Sequence, residues 1–547
     1  MPNNMKICNQ CKSQFEITDD DRKFYSKMQV LEPTLCPECR MKRRLSYRND
    51  RSLYKTESAL TGKPIISMYD PENNFVVYEQ NEWWEDKWDP LDYGRDFDFN
   101  QSFFEQFAEL QKVVPRFNLF NLDTENCEFV NYAPHCKNSY LIFGSWFNQD
   151  CLYGQTFSEC KNSMDSLFLE KSELCYENID CDSSYGSCFC QNCSSATECY
   201  FCYDCKNVKN CIGCWNLRNK EYYVLNKPVS KEKFNEIKNS FKSFKTVEDS
   251  KRHFWDMIKK NAIHKYYTGQ NNENSTGDLL FNCKNVKNCF SAYRCQDLAY
   301  CNRLMDQKDT YDFEGGGKGE LCYESMSNDF SFNSISCTTC EHMTNSHYSD
   351  LCFNCEECLG CIGLRYKKYC LFNKQYSKEE YKVLSEKVIN HMKKLGEWGE
   401  FFPASLSPFG YNETMANEYF PLSKEEAIKQ GYRWKDEVMK NPQMQTIKLP
   451  DSISDITDQI LDEVLLCGLC NKNYKIVSKE LKFYKQIGLP VPRICPDCRH
   501  KERMGKRNPR KLFNRKCDNC GTDIKTSYSP ERPEKVYCEK CYLKEVY

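Results

Sequence analysis

The sequence predicts a multi-domain, mainly β protein: terminal zinc ribbons with basic helices flank two tandem Cys-rich β-solenoid repeats, and helical connectors join the parts. Three observations carry that expectation. CxxC…CxxC sets stand near both ends of the chain; the terminal modules match one another at an offset of 459 residues; and the Cys-rich centre matches itself at an offset of 147.

Composition bounds the rest. The 547 residues include 38 Cys and only 7 His, with 76 Lys+Arg against 78 Asp+Glu. A chain of this length divides into several domains. The near balance of charge excludes a globally basic protein, so nucleic-acid contact would rest on local patches. No apolar run approaches the roughly 18 residues of a membrane span, and the start MPNNMKIC lacks an apolar signal region. A soluble, cytoplasmic protein with no membrane partner is expected. Thiols gathered in CxxC pairs suit a reducing compartment better than a disulfide scaffold.

In chain order, residues 1–55 read as a zinc ribbon with a basic helix. Residues 56–88 read as a degenerate ribbon. There Ser58, Thr61, Glu79 and Glu82 stand where the C-terminal copy has Cys517, Cys520, Cys538 and Cys541, so this copy is expected to keep the shape and lack the metal. A connector (89–126) leads to the first Cys-rich repeat (127–229). A helical connector (230–273) follows, in which KEKFNEIKNSFKSF and KRHFWDMIKKNAIHKYY have helical apolar spacing and NNENSTGD is a polar turn. The second repeat (274–376) is followed by a helix and connector (377–460), where SKEEAIKQG reads as a short helix from N-cap Ser423 to the stop at Gly431. A second zinc ribbon with a basic helix (461–516) and a CxxC-x17-CxxC ribbon (517–547) complete the chain.

Three ligand sets follow from spacing: Cys8, Cys11, Cys36 and Cys39; Cys467, Cys470, Cys495 and Cys498; and Cys517, Cys520, Cys538 and Cys541. A CxxC turn aims two thiolates at one point, and two such turns complete the tetrahedron that structural Zn2+ takes. Four thiolates leave no open position for water, so three structural zinc ions are expected, each supplying folding energy.

These CxxC…CPxCR modules resemble the probable zinc-ribbon domains of bacterial hypothetical proteins, and Cys517–Cys541 resembles the bacterial CxxC-x17-CxxC ribbon. DPLDYGRDFDFNQSFFEQFAELQKVVPRF and GEWGEFFPASLSPFGYNET are similar to stretches of uncharacterised Cys-rich proteins from small-genome bacteria. The resemblance implies zinc binding and carries no established activity.

The other 26 cysteines obey a different rule. Steps of six from Cys175 reach Cys181, Ser187, Cys193, Cys199, Cys205 and Cys211, and the midpoints include Cys190, Ala196, Cys202 and Cys214. A small residue at every third position is neither a helical nor an ordinary strand period. It suits a narrow β-solenoid with that residue turned inward, in coils of 12 residues, similar in spacing to beetle antifreeze proteins, or of 18. The ice-binding threonine rows of those proteins are absent. Alternatives for the thiols are cross-core disulfides and an iron–sulfur cluster. The cluster is disfavoured because the run Cys352, Cys355, Cys358, Cys361 ends in CxxC rather than CxxxC-P, and Val208 stands at the position aligned with Cys355.

Each CPxCR pair leads into a basic stretch: Arg40, Lys42, Arg44, Arg48 and Arg51 in the first module; Arg499, Lys501, Arg503, Lys506, Arg507, Arg510 and Lys511 in the second. A cationic helix edge of this kind would face the phosphates of RNA or DNA, and a solvated charged face is the alternative. No HExxH, Walker or G-x-S-x-G motif is present. GGGKGE from Gly315 lacks the Walker ending and reads as a loop. His135, His342 and His347 lie among the thiols and read as surface residues. The expectation is a non-enzymatic zinc-binding scaffold or binding module that contacts nucleic acid, with no small-molecule substrate identified. Redox or metal handling by the central thiols is one alternative, and a protein partner on the solenoid face is the other.

Overall fold

The computed structural model describes residues 4–436 and 441–547. Both central repeats fold into parallel ladders with a constant register of twelve residues. In the first, Gln155–Ser158, Leu167–Glu170 and Ile179–Asp182 pair in sequence order, with Gln155 opposite Leu167 and Leu167 opposite Ile179. Bridges extend the register at every third residue, as in Glu125–Lys137, Glu128–Tyr140 and Asn131–Phe143. In the second ladder Gly277–Phe281, Cys289–Tyr293, Asn302–Met305 and Glu314–Gly317 pair likewise. The expected loop at Gly315 is therefore a rung, since glycine there lacks a side chain but keeps the ladder's backbone bonds.

One residue in three points inward. Cys175, Asn178, Cys181, Ser184, Ser187, Cys190, Cys193, Ala196 and Cys199 are all buried. The residue before each of them has φ near +50°. Asn and Asp tolerate this left-handed region better than other side chains, which accounts for Asn126, Asn138, Asp150, Asn162, Asp165, Asp180 and Asn192 at such positions. Cysteine and serine interchange inside because both are small donors. Cys151 Sγ donates to Gln149 O (3.4 Å) and Cys160 O (3.5 Å), as Ser187 Oγ does to Tyr185 O (3.2 Å) and Ala196 O (3.0 Å).

Helices close the ladders. Lys231–Ser240 and Phe244–Asn261 bury Phe234, Val247, Phe254 and Ile258, and Phe254 meets Phe201 of the first ladder edge-on. The second of these helices stops at Asn261. Its expected extension through His264 instead forms the strand Ile263–Lys265, paired in parallel with Lys535–Tyr537 of the last module. Lys378–Leu395 begins at a capping box of Ser377 and Glu380, ends at Gly396 with φ +72°, and buries Tyr381, Val388 and Met392. Ser423 caps Lys424–Lys429 as expected. With twelve α-helices among the described residues, the chain is mixed α/β rather than mainly β. None of these helices is long and apolar enough to cross a membrane.

The terminal modules dock crosswise. The first rests on the second ladder, where Phe24 stacks on Tyr311 with ring centroids 3.9 Å apart and Tyr25 meets Tyr323 edge-on at 5.5 Å. The module around Cys467 rests on the first ladder, where Tyr484 meets Tyr176 edge-on at 5.6 Å. The two internal duplications thus produce an approximate twofold arrangement: residues 24 and 25 correspond to 483 and 484, and Tyr323 corresponds to Tyr176.

Candidate metal centres and the arginine-locked interfaces

In the first module the hairpin Met5–Ile7/Gln14–Glu16 holds Cys8 and Cys11 in its turn. Cys36 is the N-cap of the helix Pro37–Leu45, and Cys39 lies in its first turn. The second module repeats this with Leu465–Leu466/Asn473–Tyr474 and the helix Pro496–Gly505, capped by Cys495. The third uses Phe513–Lys516/Asp523–Thr526 and the helix Glu539–Val546, capped by Cys538. In each set the four Sγ atoms lie within 4.8 Å of one another. All twelve predicted ligands are therefore brought together in their predicted sets.

The fit to a tetrahedral metal can be tested by distance. Cys11–Cys36, Cys470–Cys495 and Cys520–Cys538 each have Sγ atoms 3.7 Å apart; a tetrahedron with metal–sulfur bonds of about 2.3 Å has edges of about 3.8 Å. Helix N-termini add positive dipole at two of the four sulfurs. Cys495 N and Cys538 N donate to Cys467 Sγ and Cys517 Sγ, both at 3.2 Å. A hydrogen bond from Cys39 pulls Cys36 down to about 5 against its burial, and the Thr522 hydroxyl helps hold Cys520 at about 6. Their partners Cys39 and Cys541 are pushed the other way, so both sets hold shared protons that a bound metal would displace.

One ligand pair on a hairpin turn and the other on a helix N-terminus is a different geometry from the two facing turns of a ribbon. Residues 4–48 match the family model described as a probable treble clef domain. The match runs from the first hairpin through Arg48, and so spans both the ligands and the docking arginines of this treble clef. It supports the zinc-binding, ribbon-like module expected from the cysteine spacing and specifies it at the N-terminus as a treble clef. No curated protein matches the chain.

The degenerate copy keeps its hairpin, Tyr54–Glu57/Pro64–Ser67. Where the metal would sit, the Glu82 carboxylate, 4% exposed, accepts from Ser58 Oγ and from Thr61 Oγ1 (2.6 Å), while Glu79 caps the helix Gln80–Trp84. Hydrogen bonds join the parts that thiolates join elsewhere.

The basic stretches do not form an exposed edge. Arg40 and Arg44 are fully buried and meet Asp312 at 2.9 and 3.0 Å. Arg499 and Arg503 meet Asp165 at 2.9 and 3.1 Å. Arg507 pairs with Asp180 through two contacts of 2.9 Å, and Arg510 with Glu314 at 3.1 Å. Arg48 bonds Asp50, and Lys42 lies buried near Gln430. Arg51 covers the Phe143 ring and Lys506 that of Trp255. Of the twelve cations expected to meet nucleic acid, only Lys501 and Lys511 are exposed. The reason is geometric: positions four apart on each helix share one face, and that face lies against a ladder.

The acidic partners escaped the sequence reading, although the duplications mark them. Asp165 and Asp312 are 147 residues apart, as are Tyr153 and Tyr300, while Asp21 and Glu480 are 459 apart. Tyr300 donates to Asp21 at 3.1 Å and Tyr153 to Glu480 at 2.9 Å, so the correspondence extends to the hydrogen bonds. Arg43, also overlooked, meets both oxygens of Glu324 at 2.8 Å and Glu400 at 2.9 Å.

Every described cysteine is free of disulfide. Burial pushes the Cys151 and Cys175 thiols well above their ordinary range and Cys160 up to about 12, which keeps them protonated donors. In the dense run near the end of the first ladder, hydrogen bonds from Cys199 and Cys214 pull Cys211 down to about 4. His135 stacks on Phe147 and His342 on Phe330 at the surface. His347 differs, since it accepts from Ile335 N at 3.3 Å and packs edge-on against Trp398.

Proposed function

We propose that the protein is a non-enzymatic scaffold in which structural zinc ions fix three small modules against two β-solenoid ladders, leaving the outer ladder faces to bind a protein partner. The observation that carries this reading is the internal use of the arginines: the residues suited to phosphate contact are paired with ladder carboxylates. Buried ion pairs contribute register and specificity more than net stability, which suits parts that must hold one relative position. Zinc is the metal expected of four thiolates in a closed tetrahedral set. The twelve-residue register with a bridge at every third residue supports narrow coils, and free thiols throughout suit a reducing compartment such as the cytoplasm.

The outer face supplies regular rows. Glu125, Lys137, Gln149, Lys161, Glu173 and Tyr185 form one exposed row linked rung to rung, at the ladder spacing of about 4.8 Å. Such a row of fixed side chains fits an extended protein surface with matching charges. The test is binding of duplex DNA and single-stranded RNA by fluorescence anisotropy across salt concentration. The scaffold reading expects no specific binding at about 0.15 M salt, where a protein with six or more phosphate contacts would still bind. Tight, salt-dependent binding lost in K501A/K511A would overturn it in favour of a nucleic-acid module.

A further inference from the structure

Near the end of the first ladder, three of the four interior columns consist of cysteine. The twelve-residue register stacks Cys190, Cys202 and Cys214 on consecutive rungs, does the same for Cys181, Cys193 and Cys205, and sets Cys199 against Cys211. All eight are at most 2% exposed. Hydrogen bonds link them into one network: Cys190 with Cys193 and Cys202, Cys193 with Cys181 and Cys205, Cys202 with Cys214, and Cys211 with Cys199 and Cys214. Packing does not demand sulfur here. In the second ladder Ser346 and Ser349 stand at the places of Cys199 and Cys202, and no column there holds three cysteines in succession. The thiol protons are also expendable. Cys190 Sγ donates to Cys199 O at 3.6 Å and Cys193 Sγ to Cys202 O at 3.4 Å, but those carbonyls already accept from Cys188 N and Gln191 N at 2.8 and 2.9 Å. Removing the protons leaves neither carbonyl unpaired.

These sulfurs form lines rather than tetrahedra. Among the described residues, the groups of three or more donors within 4.8 Å of one another are the three terminal sets, so zinc with four ligands does not fit the core. A two-coordinate ion does. Two metal–sulfur bonds of about 2.3 Å span nearly the ladder spacing of about 4.8 Å, and an ion on the line between two sulfurs takes the place of thiol protons rather than of a cavity. Of the metals that thiolates select, univalent copper is the one that accepts two ligands in line. We propose that this thiol ladder is a binding site for Cu(I), with one ion between each two cysteines stacked on consecutive rungs: two ions in each column of three, and one between Cys199 and Cys211. Each ion displaces one proton, so every column keeps one thiol proton and carries no net charge, as a buried site requires. Cys193 and Cys202 each serve two ions.

The test is anaerobic titration of the zinc-loaded full chain with Cu(I) supplied as its bicinchoninate complex, with both metals counted by native mass spectrometry. The expected result is copper bound in addition to the zinc already present. Cys193→Ser combined with Cys202→Ser, the second of which copies Ser349 of the other ladder, should keep the zinc and hold four fewer copper ions. The same two positions changed to alanine, which the interior already accepts at Ala196, should give the same loss. Cys151→Ser, whose column neighbours are Ser139 and Ser163, should bind copper as the wild type does. Copper that enters only by displacing zinc, no copper beyond the zinc, or an unchanged copper count in the paired variants would overturn the proposal.

Discussion

Asp165 and Asp312 hold equivalent places in the two ladders and each receives two arginines, but the arginines come from opposite ends of the chain: Arg499 and Arg503 for Asp165, Arg40 and Arg44 for Asp312. The first treble clef therefore braces the second repeat, while the module around Cys467 braces the first. These two pairs of ion pairs join parts far apart in the sequence, and contacts such as Arg51 over Phe143 and Arg510 with Glu314 add links between nearer ones.

Removing one of these carboxylates leaves one buried guanidinium, Arg40 or Arg503, without its ion-pair partner and the other, Arg44 or Arg499, with only Glu324 or Glu480. Asp312→Ala should destabilise the protein by about 3–5 kcal/mol, and hydrogen exchange should show lost protection in residues 4–48 while the module around Cys467 stays protected. Asp165→Ala should give the mirror result. Equal loss in both modules would show that docking is not local.

Metal content should be three zinc ions per chain by native mass spectrometry. Cys8→Ser, Cys467→Ser and Cys517→Ser should each lower it by one, since each removes a buried ligand of a different set. Chelation should unfold the small modules first, because the metal supplies much of their folding energy.

The degenerate copy retains the geometry of a site without its ligands, so Ser58→Cys, Thr61→Cys, Glu79→Cys and Glu82→Cys combined should raise the zinc content to four. Glu82→Ala alone, which strips Ser58 and Thr61 of their acceptor, should cost about 1–3 kcal/mol by denaturant unfolding.

Inside the ladders, Cys175→Ser should cost less than about 1 kcal/mol, because serine reaches the same carbonyls, whereas Cys175→Leu should cost about 1–3 kcal/mol through overpacking. In the native protein a thiol reagent should label Cys127 before any other central cysteine, since the remaining 25 are buried.

Glu177 is largely shielded from water, which raises its pKa, but Lys251 at 2.9 Å pulls it down to about 2. A depressed folded-state pKa contributes stability above the unfolded value of about 4.3 and loses it as pH falls toward 2. Lys251→Met should therefore flatten the fall in stability between about pH 4.5 and 2 in acid-dependent thermal melts.

The ligand sets, the inward triplet rule and both duplications were legible because each depends on local spacing: a CxxC turn places two sulfurs by itself, and a small residue every third position is visible along the chain. The sequence already distinguished the metal-bearing copies from the one in which Glu82 closes the site. It did not distinguish a ribbon from a treble clef, since that depends on whether Cys36 and Cys495 sit in a turn or cap a helix. Nor did it decide where the arginines go. A run such as Arg40, Arg44 and Arg48 has the same spacing on a solvated face as on a buried one, and only its long-range partners Asp312 and Ser327 settle the matter. Local chemistry determined which residues could bind metal and which could line a narrow core. The pairing of charges some 270 residues apart, which requires the whole chain to close on itself, belonged to the tertiary structure alone.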